Sequence, residues 1–390
     1  MSTAPVIRID VPGSFARAVF QERHPELVRR VLDARPYGPA ERAAVERLLA
    51  ESTAGVLEPP AEGLHDRARW LAWGEGLWGR PWSEAPFLWA ESWFYRRLLE
   101  ATGYFGPGAW QGIDPFAPFK DAELAGPAVD AELGALDGLD DLPEERHAGT
   151  LLSAALWGNR ADLSFGITAG PDAPAVPNLL ADDTAELWAA LRRSPGGRSS
   201  GGRVALVADN AGRELLPDLV LVDHLLNRGL ATEVVLYVKP QPYFVSDATT
   251  ADVLATVERL RAAPGRAGAI GRRLWEAMVR SGLAVRTHPF FCAPLPYHDM
   301  PADLRAELAG ADLAILKGDL NYRRLVGDRL WPPATPFAAV AGHFPSPVAA
   351  LRTLKSDVAV GIDPTTAADL DRTDPQWRTS GRYAVVQVVR

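Results

Sequence analysis

The sequence predicts a mainly helical N-terminal domain followed by an α/β domain with a mostly parallel sheet. The first observation is length, because 390 residues exceed the usual size of one hydrophobic core. The second is a change of pattern. Apolar residues recur at three- and four-residue intervals in the first half, whereas short apolar runs alternate with helical stretches in the second. We place the domains at residues 1–195 and 203–390, on either side of the Gly- and Ser-rich loop 194–202.

The first half contains helical patterns with apolar residues on one face. The clearest cover Pro25–Leu32, Ala40–Leu49 and Trp89–Leu99. Near its end, residues 121–145 hold nine acidic residues and no Lys or Arg, interrupted by Gly and Pro. This composition predicts an exposed, acidic, partly helical connector.

The second half alternates strands with helices, which implies parallel pairing in a layered α/β sheet. The predicted strands are Val204–Ala208, Glu233–Val238, Asp312–Leu316, Val358–Ile362 and a closing strand at Tyr383–Val389. The predicted helices are Glu214–Leu226, Asp252–Arg261 and Gly271–Arg280.

Composition narrows the class of protein. Lys and Arg number 41 against 49 Asp and Glu, a net charge of −8 that argues against a broad nucleic-acid surface. Cys292 is the one cysteine, which excludes an internal disulfide and fits a reducing, cytoplasmic location. The N-terminus has no apolar signal region. The longest uncharged stretch, Leu330–Leu351, contains five prolines, so no membrane helix is expected.

Tryptophan is the most distinctive component of the sequence. Seven of the 12 tryptophans lie between Trp70 and Trp110. Their three- and four-residue spacing on predicted helices favours core packing over stacking on nucleobases or sugars. Within this region Gly74–Gly79 matches GxGxxG, but the residues before it have helical spacing, so we reject a dinucleotide site.

Candidate site residues follow from the predicted sheet. In open α/β sheets, ligands bind beyond the carboxyl ends of the strands. Polar clusters that follow the first three predicted strands, or precede the fourth, therefore converge on one edge. They are Asp209 and Asn210, Ser246 and Asp247, then Asp319, Asn321, Tyr322 and Arg323, and finally Arg352, Thr353 and Lys355.

The residue types indicate phosphoryl chemistry. Asp209, Asn210 and Asp247 offer oxygen ligands that suit Mg²⁺ or Mn²⁺, and also Co²⁺ or Ni²⁺. Lys355 and Arg323 supply the positive groups that a phosphoryl ligand requires. A metal beside cations is the minimum set for metal-assisted phosphoryl transfer to water.

Spacing alone leaves simpler interpretations open. Asp209–Asn210 and Asp247 stand where helix N-caps are common. Arg352 and Lys355 could be ordinary surface charges.

Longer motifs resemble a known family. The chain from about residue 20 to its end is similar to the DUF89 family and, more narrowly, to its damage-control phosphatase ARMT1-like branch, which an RTxK motif marks. Arg352–Lys355 reads RTLK and supplies that motif. The other matching segments are Asp209–Leu226 (DNAGRELLPDLVLVDHLL), Val238–Asp247 (VKPQPYFVSD), Leu316–Asp328 (LKGDLNYRRLVGD), Leu156–Ser164 and Trp89–Leu99.

Three positions depart from the branch's usual pattern. Arg213 stands where similar sequences have an aromatic residue, Tyr237 where His is frequent, and Ser92 where Cys is frequent. None is a proposed ligand, but Arg213 adjoins the ligands and could alter substrate preference.

The resemblance implies a helical N-terminal domain on a three-layer α/β/α domain. It implies a divalent metal on Asp209, Asn210 and Asp247, with Asp209 and Lys355 as catalytic residues. The implied substrate contacts are Asp209, Asn210, Asp319, Leu320, Asn321, Tyr322, Arg323 and Lys355. Further candidates for the site are Glu91, Arg96, Asn159 and Arg352.

The activity that the resemblance implies is metal-dependent hydrolysis of a small phosphorylated metabolite, such as fructose 1-phosphate, with Mn²⁺, Co²⁺, Ni²⁺ or Mg²⁺. The sequence leaves open whether Asp209 or a water molecule attacks. Three alternatives stay open: a protein-glutamate methyltransferase that uses S-adenosylmethionine, a specialised biosynthetic enzyme, and a non-catalytic binder. Neither nucleic acid nor membrane is an expected partner, and the oligomeric state is left open.

Overall fold

The computed structural model describes residues 4–158, 178–192 and 201–390. Most of the predicted loop 194–202, and Asn159, lie outside the described residues. The helices described are α1 (Phe15–Ala18), α2 (His24–Ala34), α3 (Pro39–Ala54), α4 (Arg67–Trp73), α5 (Phe87–Ala101), α6 (Ala117–Leu124), α7 (Pro127–Ala135), α8 (Glu144–Trp157), α9 (Thr184–Arg192), α10 (Leu215–Asn227), α11 (Thr250–Ala262), α12 (Gly265–Val279), α13 (Ala302–Ala309), α14 (Gly318–Val326), α15 (Phe337–Ala341) and α16 (Pro364–Thr373).

One mostly parallel sheet organises the described chain, in the order β1-β7-β6-β5-β2-β3-β4. All neighbouring pairs are parallel except β6 and β7, which run antiparallel. The predicted fold class is confirmed. The strands are β1 (Leu179–Asp182), β2 (Gly202–Val207), β3 (Ala231–Val238), β4 (Leu283–Thr287), β5 (Leu313–Lys317), β6 (Val348–Thr353) and β7 (Ala384–Val389).

The two faces of the sheet bury different helices, because alternate side chains of a strand point to opposite faces. In β2, Val204 and Leu206 pack into a cluster with α7, α8 and α10 to α12. Ala205 and Val207 pack into a second cluster with the N-terminal helices and α13 to α16. The sheet is therefore the middle layer of an α/β/α arrangement.

The predicted helices of the first half are confirmed as α2, α3 and α5. The tryptophans there pack as predicted. Trp70 and Trp93 are fully buried, with ring centroids 4.7 Å apart, and Trp78 lies against Trp89 at 5.5 Å. Aromatic pairs at these separations add to core stability.

The fourth predicted strand is wrong. Val358–Ile362 is buried but not a strand, and the strand in this part of the sheet is β6, which ends at Thr353. Side chains take the place of a strand partner here, since Arg352 donates to the carbonyl of Val358 at 2.5 Å and Gln387 to that of Val360 at 2.9 Å. An apolar run alone does not distinguish these two kinds of buried segment.

The predicted exposure of the acidic connector is also wrong in part. Its apolar residues Val129, Leu133, Leu136 and Leu139 are buried in the cluster beneath α8 and α10. The division into domains at residue 195 stays a prediction, although β1 and α9 precede it and β1 pairs with β7.

In the part of the chain that the structure describes, no helix is both long and apolar enough to cross a bilayer.

Candidate functional site

Four adjacent parallel strands, β6, β5, β2 and β3, end at one edge of the sheet. Asp209 lies two residues beyond β2, Lys239 directly beyond β3, Gly318 directly beyond β5, and Lys355 two residues beyond β6. The predicted convergence of polar residues at this edge is therefore what the backbone produces.

The three predicted metal ligands lie side by side on two loops. Asn210 and Asp247 pair as an antiparallel bridge. The N–H of Ala248 donates to the carbonyl of Asp209 at 2.9 Å, and the hydroxyl of Ser246 donates to Oδ1 of Asn210 at 2.7 Å. Main-chain bonds and one side-chain bond thus hold the two loops together at these three residues.

These residues do not cap helices, which was the simpler interpretation. Helix α10 begins at Leu215, and the residue before it, Glu214, makes no side-chain cap bond. Helix α11 is capped by Thr249 and Asp252 through a reciprocal capping box. Asp209, Asn210 and Asp247 are therefore available for another role.

Asp209 and Asp247 form a buried pair of carboxylates. They are 7% and 2% exposed. Burial, and then the charges of Asp247 and Glu214, raise the pKa of Asp209 well above its usual range. Burial also raises the pKa of Asp247, against the opposing charge of Lys239. Among the described residues, Oδ1 of Asp209 has no hydrogen-bond donor. The arrangement is costly unless a cation or protons neutralise it.

Gly318 allows helix α14 to begin against Asp209. A Cβ at this position would lie 1.8 Å from Oδ2 of Asp209, and the φ of Gly318 is +81°. Both facts require glycine there. The N-terminus of α14, which has no side-chain cap, therefore lies beside the carboxylate.

Glu214 connects Lys355 to the ligand loop. Nζ of Lys355 donates to Oε1 of Glu214 at 3.2 Å, and Nδ2 of Asn210 donates to Oε2 at 2.8 Å. Burial lowers the pKa of Lys355, but the charges of Glu214 and Asp209 outweigh it, so this pKa lies above its usual value. Lys355 is 38% exposed and positively charged at the mouth of the site.

A residue of the acidic segment also reaches this loop. Oε2 of Glu123, in α6, would lie 2.2 Å from a Cβ at Gly212. Burial and the charge of Glu214 raise the pKa of Glu123. The acidic segment thus lies against the loop that carries Asp209 and Asn210.

Arg352, the arginine of the RTxK motif, belongs to a buried hydrogen-bond network next to Lys355. Nε of Arg352 donates to Oδ1 of Asp319 at 2.7 Å, and the same oxygen accepts from the N–H of Lys355 at 3.2 Å. Arg352 is 1% exposed, so the surface-charge interpretation is wrong for it. Burial raises the pKa of Asp319, but Arg352 and Arg323 outweigh it and the pKa lies below its usual value.

Arg323 is enclosed by carboxylates of two segments. It donates to Asp328 at 2.7 Å and to Glu91 of α5 at 3.0 Å, and its guanidinium lies 4.5 Å from the ring centroid of Phe87. Glu91 therefore reaches the segment that contains the predicted substrate contacts, whereas the guanidinium of Arg323 is held by protein groups.

The other predicted contacts of α14 have polar groups bonded within the protein. Nδ2 of Asn321 donates to the carbonyls of Ala208 and Lys317, which ties α14 to the end of β2. The hydroxyl of Tyr322 donates to Gln387 at 2.7 Å. Leu320 is buried in a small cluster with Leu88 and Tyr243. Their place as substrate contacts stays a prediction.

The candidate Arg96 and the departure Arg213 are both bound to carboxylates outside the proposed ligand set. Arg96 is buried and binds both carboxylate oxygens of Asp66, at 3.0 and 2.8 Å. Arg213, the departure beside the ligands, donates to Glu132 of α7 at 2.7 Å and so anchors the acidic segment. Asn159 lies outside the described residues.

Sequence reasoning missed Glu214 and Lys239. Glu214 stands four residues after Asn210, a spacing that brings side chains together in a helical turn. Lys239 is the first residue after β3, where the rule of strand ends applies as it does to Asp209.

The donor set fits a divalent cation. In the described ranges, no group of three or more His, Cys, Asp or Glu side chains is placed to hold a metal ion. The predicted set is instead two carboxylates and an amide. Its oxygens suit hard or borderline divalent ions, and the unpartnered Oδ1 of Asp209 is a free ligand atom.

The fold and this edge define an α/β/α protein with a buried cluster of carboxylate and amide oxygens, beside a lysine and the N-terminus of a helix. The sequence model of the damage-control phosphatase ARMT1-like domain matches residues 19–370. The chain belongs to the damage-control phosphatase ARMT1-like family.

Named relatives agree over nearly the whole chain. The damage-control phosphatase ARMT1 of Danio rerio is 34% identical, covering 96% of this chain and 94% of its own. The Mus musculus protein of the same name is 34% identical over 96% of both chains, and the Homo sapiens protein 32% over the same shares. A solved DUF89-family protein from Pyrococcus horikoshii has a TM-score of 0.47 at 17% identity, covering 90% of this chain and 93% of its own.

Proposed function

We propose that this protein is a metal-dependent phosphatase that hydrolyses a small sugar phosphate resembling fructose 1-phosphate. The observation that carries the proposal is the buried pair Asp209–Asp247 with Lys355 at its mouth. Its relatives are named damage-control phosphatases, which supports a phosphatase. A cytoplasmic location and a small phosphorylated metabolite as partner belong to the same proposal.

Asp209, Asn210 and Asp247 would hold the divalent cation, which we take to be Mn²⁺, Co²⁺, Ni²⁺ or Mg²⁺. When bound, the cation supplies positive charge that neutralises phosphoryl oxygens and lowers the barrier to attack. The remaining chemistry belongs to residues of this chain.

Lys355 would bind a phosphoryl oxygen and stabilise the charge that grows on the transferring group. Glu214 holds its ammonium group, while Asp319 accepts from its backbone N–H. The N-terminus of α14 would offer N–H groups and the positive end of the helix dipole to the same phosphoryl group. Asp319, Leu320, Asn321, Tyr322 and Arg323 would shape this part of the substrate pocket.

Asp209 would be the nucleophile or the general base. As nucleophile, its carboxylate would attack phosphorus while the P–O bond to the sugar breaks, the sugar would leave as an alcohol that takes its proton from water, and a further water would hydrolyse the acyl-phosphate to inorganic phosphate. As base, it would take a proton from the attacking water while the same P–O bond breaks and the sugar leaves as an alcohol.

The test is a panel of sugar phosphates with the purified protein, with EDTA and with each of the four metals. We expect phosphate release to stop with EDTA and to return with metal, and Asp209→Asn to abolish it. A trapped acyl-phosphate on Asp209 would identify the nucleophile. Phosphate release that is equal with EDTA and with metal, or full activity of Asp209→Asn, would contradict the proposal. Methyl transfer from S-adenosylmethionine without phosphate release would favour the methyltransferase instead.

A further inference from the structure

Lys239 is a buried lysine beside the candidate metal ligands, and the proposed reaction gives it no role. Its backbone N–H donates to the carbonyl of Ala248 at 2.9 Å, which fixes it at the end of β3. The residue is 1% exposed, and its Nζ lies 3.6 Å from Oδ2 of Asp247. Within the described residues, Nζ has no hydrogen-bond acceptor. An ammonium group has three hydrogen-bond donors and a positive charge, so burying it is costly unless negative charge nearby compensates.

The reason is the pair of carboxylates. Asp209 and Asp247 are buried together, and the charge of Lys239 opposes the rise in the pKa of both. Other lysines near the pair are engaged elsewhere. Lys120 is bound to Asp114 at 2.7 Å and to Asp252 at 2.8 Å, and Lys355 is bound to Glu214. Lys239 is thus the buried ammonium that faces Asp247 directly.

We propose that Lys239 is the counter-ion of the metal site, which stabilises the site in the metal-free protein and weakens its hold on the metal. The inference rests on the proposed function, since it assumes a divalent cation on Asp209, Asn210 and Asp247. A cation there binds carboxylates that the ammonium already neutralises in part, and like charges repel strongly in a buried site. Lys239 therefore lets the metal exchange, and it neutralises part of the charge of the two carboxylates once the metal has left.

The experiment compares wild type with Lys239→Met and Lys239→Gln, using Mn²⁺ as the probe. Each protein is stripped with EDTA, its Tm is measured without metal, and Mn²⁺ is titrated by calorimetry. We expect both variants to lose several degrees of metal-free Tm and to bind Mn²⁺ about tenfold more tightly, since both lack the charge. Unchanged metal-free Tm and Kd in Lys239→Met would overturn the proposal. So would a Lys239→Gln protein that behaves as wild type, because hydrogen bonding alone would then be its role.

A double variant separates this proposal from the proposed function. In metal-free Lys239→Met/Asp247→Asn both charges are absent, so we expect a higher metal-free Tm than in Lys239→Met alone. This comparison also applies where Lys239→Met fails to fold, because the double variant should then fold. A double variant no more stable than Lys239→Met would overturn the counter-ion role. If the wild-type protein binds none of Mn²⁺, Co²⁺, Ni²⁺ and Mg²⁺, the proposed metal site is wrong, and so is the predicted effect of Lys239 on metal affinity.

Discussion

Arg323 of α14 donates a hydrogen bond to Glu91 of α5 at 3.0 Å, across 232 positions of sequence. Asp328 binds the other side of the same guanidinium, and its carboxylate also accepts from the N–H of Leu88 at 3.1 Å. The first turn of α5 and the end of α14 are therefore joined by buried charges. This junction holds the helix whose N-terminus faces Asp209.

The junction predicts a specific pH dependence. Burial raises the pKa of Glu91 to about 7, against the opposing charge of Arg323. In the unfolded chain a Glu titrates at about 4.3, so between these values the folded protein binds more protons than the unfolded chain. The contribution of Glu91 to the free energy of unfolding therefore falls as pH rises through this window, and is constant above it.

We expect the stability of wild type relative to Glu91→Gln to decrease from about pH 5 to about pH 7 and then to level off. Urea unfolding of both proteins at each pH measures this difference. Glu46→Gln, which removes one carboxylate at an exposed position, is the matched control. A stability difference between wild type and Glu91→Gln that does not change with pH would contradict the argument.

Arg352 predicts a large structural effect from a residue of the RTxK motif. Arg352→Met removes the bonds to Asp319, Val358 and Ser356 and leaves the partly buried carboxylate of Asp319 without its guanidinium partner. Loss of one partner of a buried pair costs about 3–5 kcal/mol. Arg372→Met is the control, because Arg372 is exposed and its change should stay within about 0.5 kcal/mol. Equal stabilities of the two variants in denaturant would show that Arg352 does not support the site.

The absence of a side chain at Gly318 lets the start of α14 lie directly against Asp209, and substitution of Gly318 tests this contact. Gly318→Ala places a methyl group on Oδ2 of Asp209 and adds strain at a φ of +81°. Gly229→Ala is the matched control, since its φ is +66° and no atom lies within 4 Å of an added Cβ. We expect the control to lose about 1–2 kcal/mol from backbone strain alone, and Gly318→Ala to lose more. Chemical denaturation measures both, and equal losses would mean that Asp209 moves aside freely.

Much of the site could be predicted from sequence because strand ends are local features. Asp209 and Asp247 follow apolar runs that parallel pairing brings to one edge, and both lie there. The order of the strands is not local, and Val358–Ile362 misled because its burial comes from helix packing and side-chain hydrogen bonds. The sequence places Lys355 at this edge as a residue before that predicted strand, whereas it lies there because it follows β6.

The partners of each charge were beyond sequence reasoning. Arg323 and Arg352 are cations of two separate motifs, and one binds Glu91 while the other binds Asp319. These pairs join residues far apart in the chain, so spacing carries no information about them. The acidic segment misled for a related reason, since its acidic residues suggested solvent whereas its leucines are buried against α8 and α10.

The contact between Lys355 and Glu214 predicts how catalysis divides between them. Lys355→Met removes the cation that would bind the phosphoryl oxygen, and we expect a fall in kcat/KM of about 100-fold or more, a loss typical for one transition-state contact. Its metal-free Tm should change little because the side chain is 38% exposed.

Glu214→Gln keeps the shape of the side chain but releases Lys355, so its loss in kcat/KM should be smaller than that of Lys355→Met. If Glu214 acts only by placing the ammonium, the loss from Glu214→Gln should vanish in the Lys355→Met background, since the two residues act as a unit. Steady-state kinetics on the four proteins of this cycle measure that coupling. Additive losses would show that Glu214 acts independently, through its bond to Asn210.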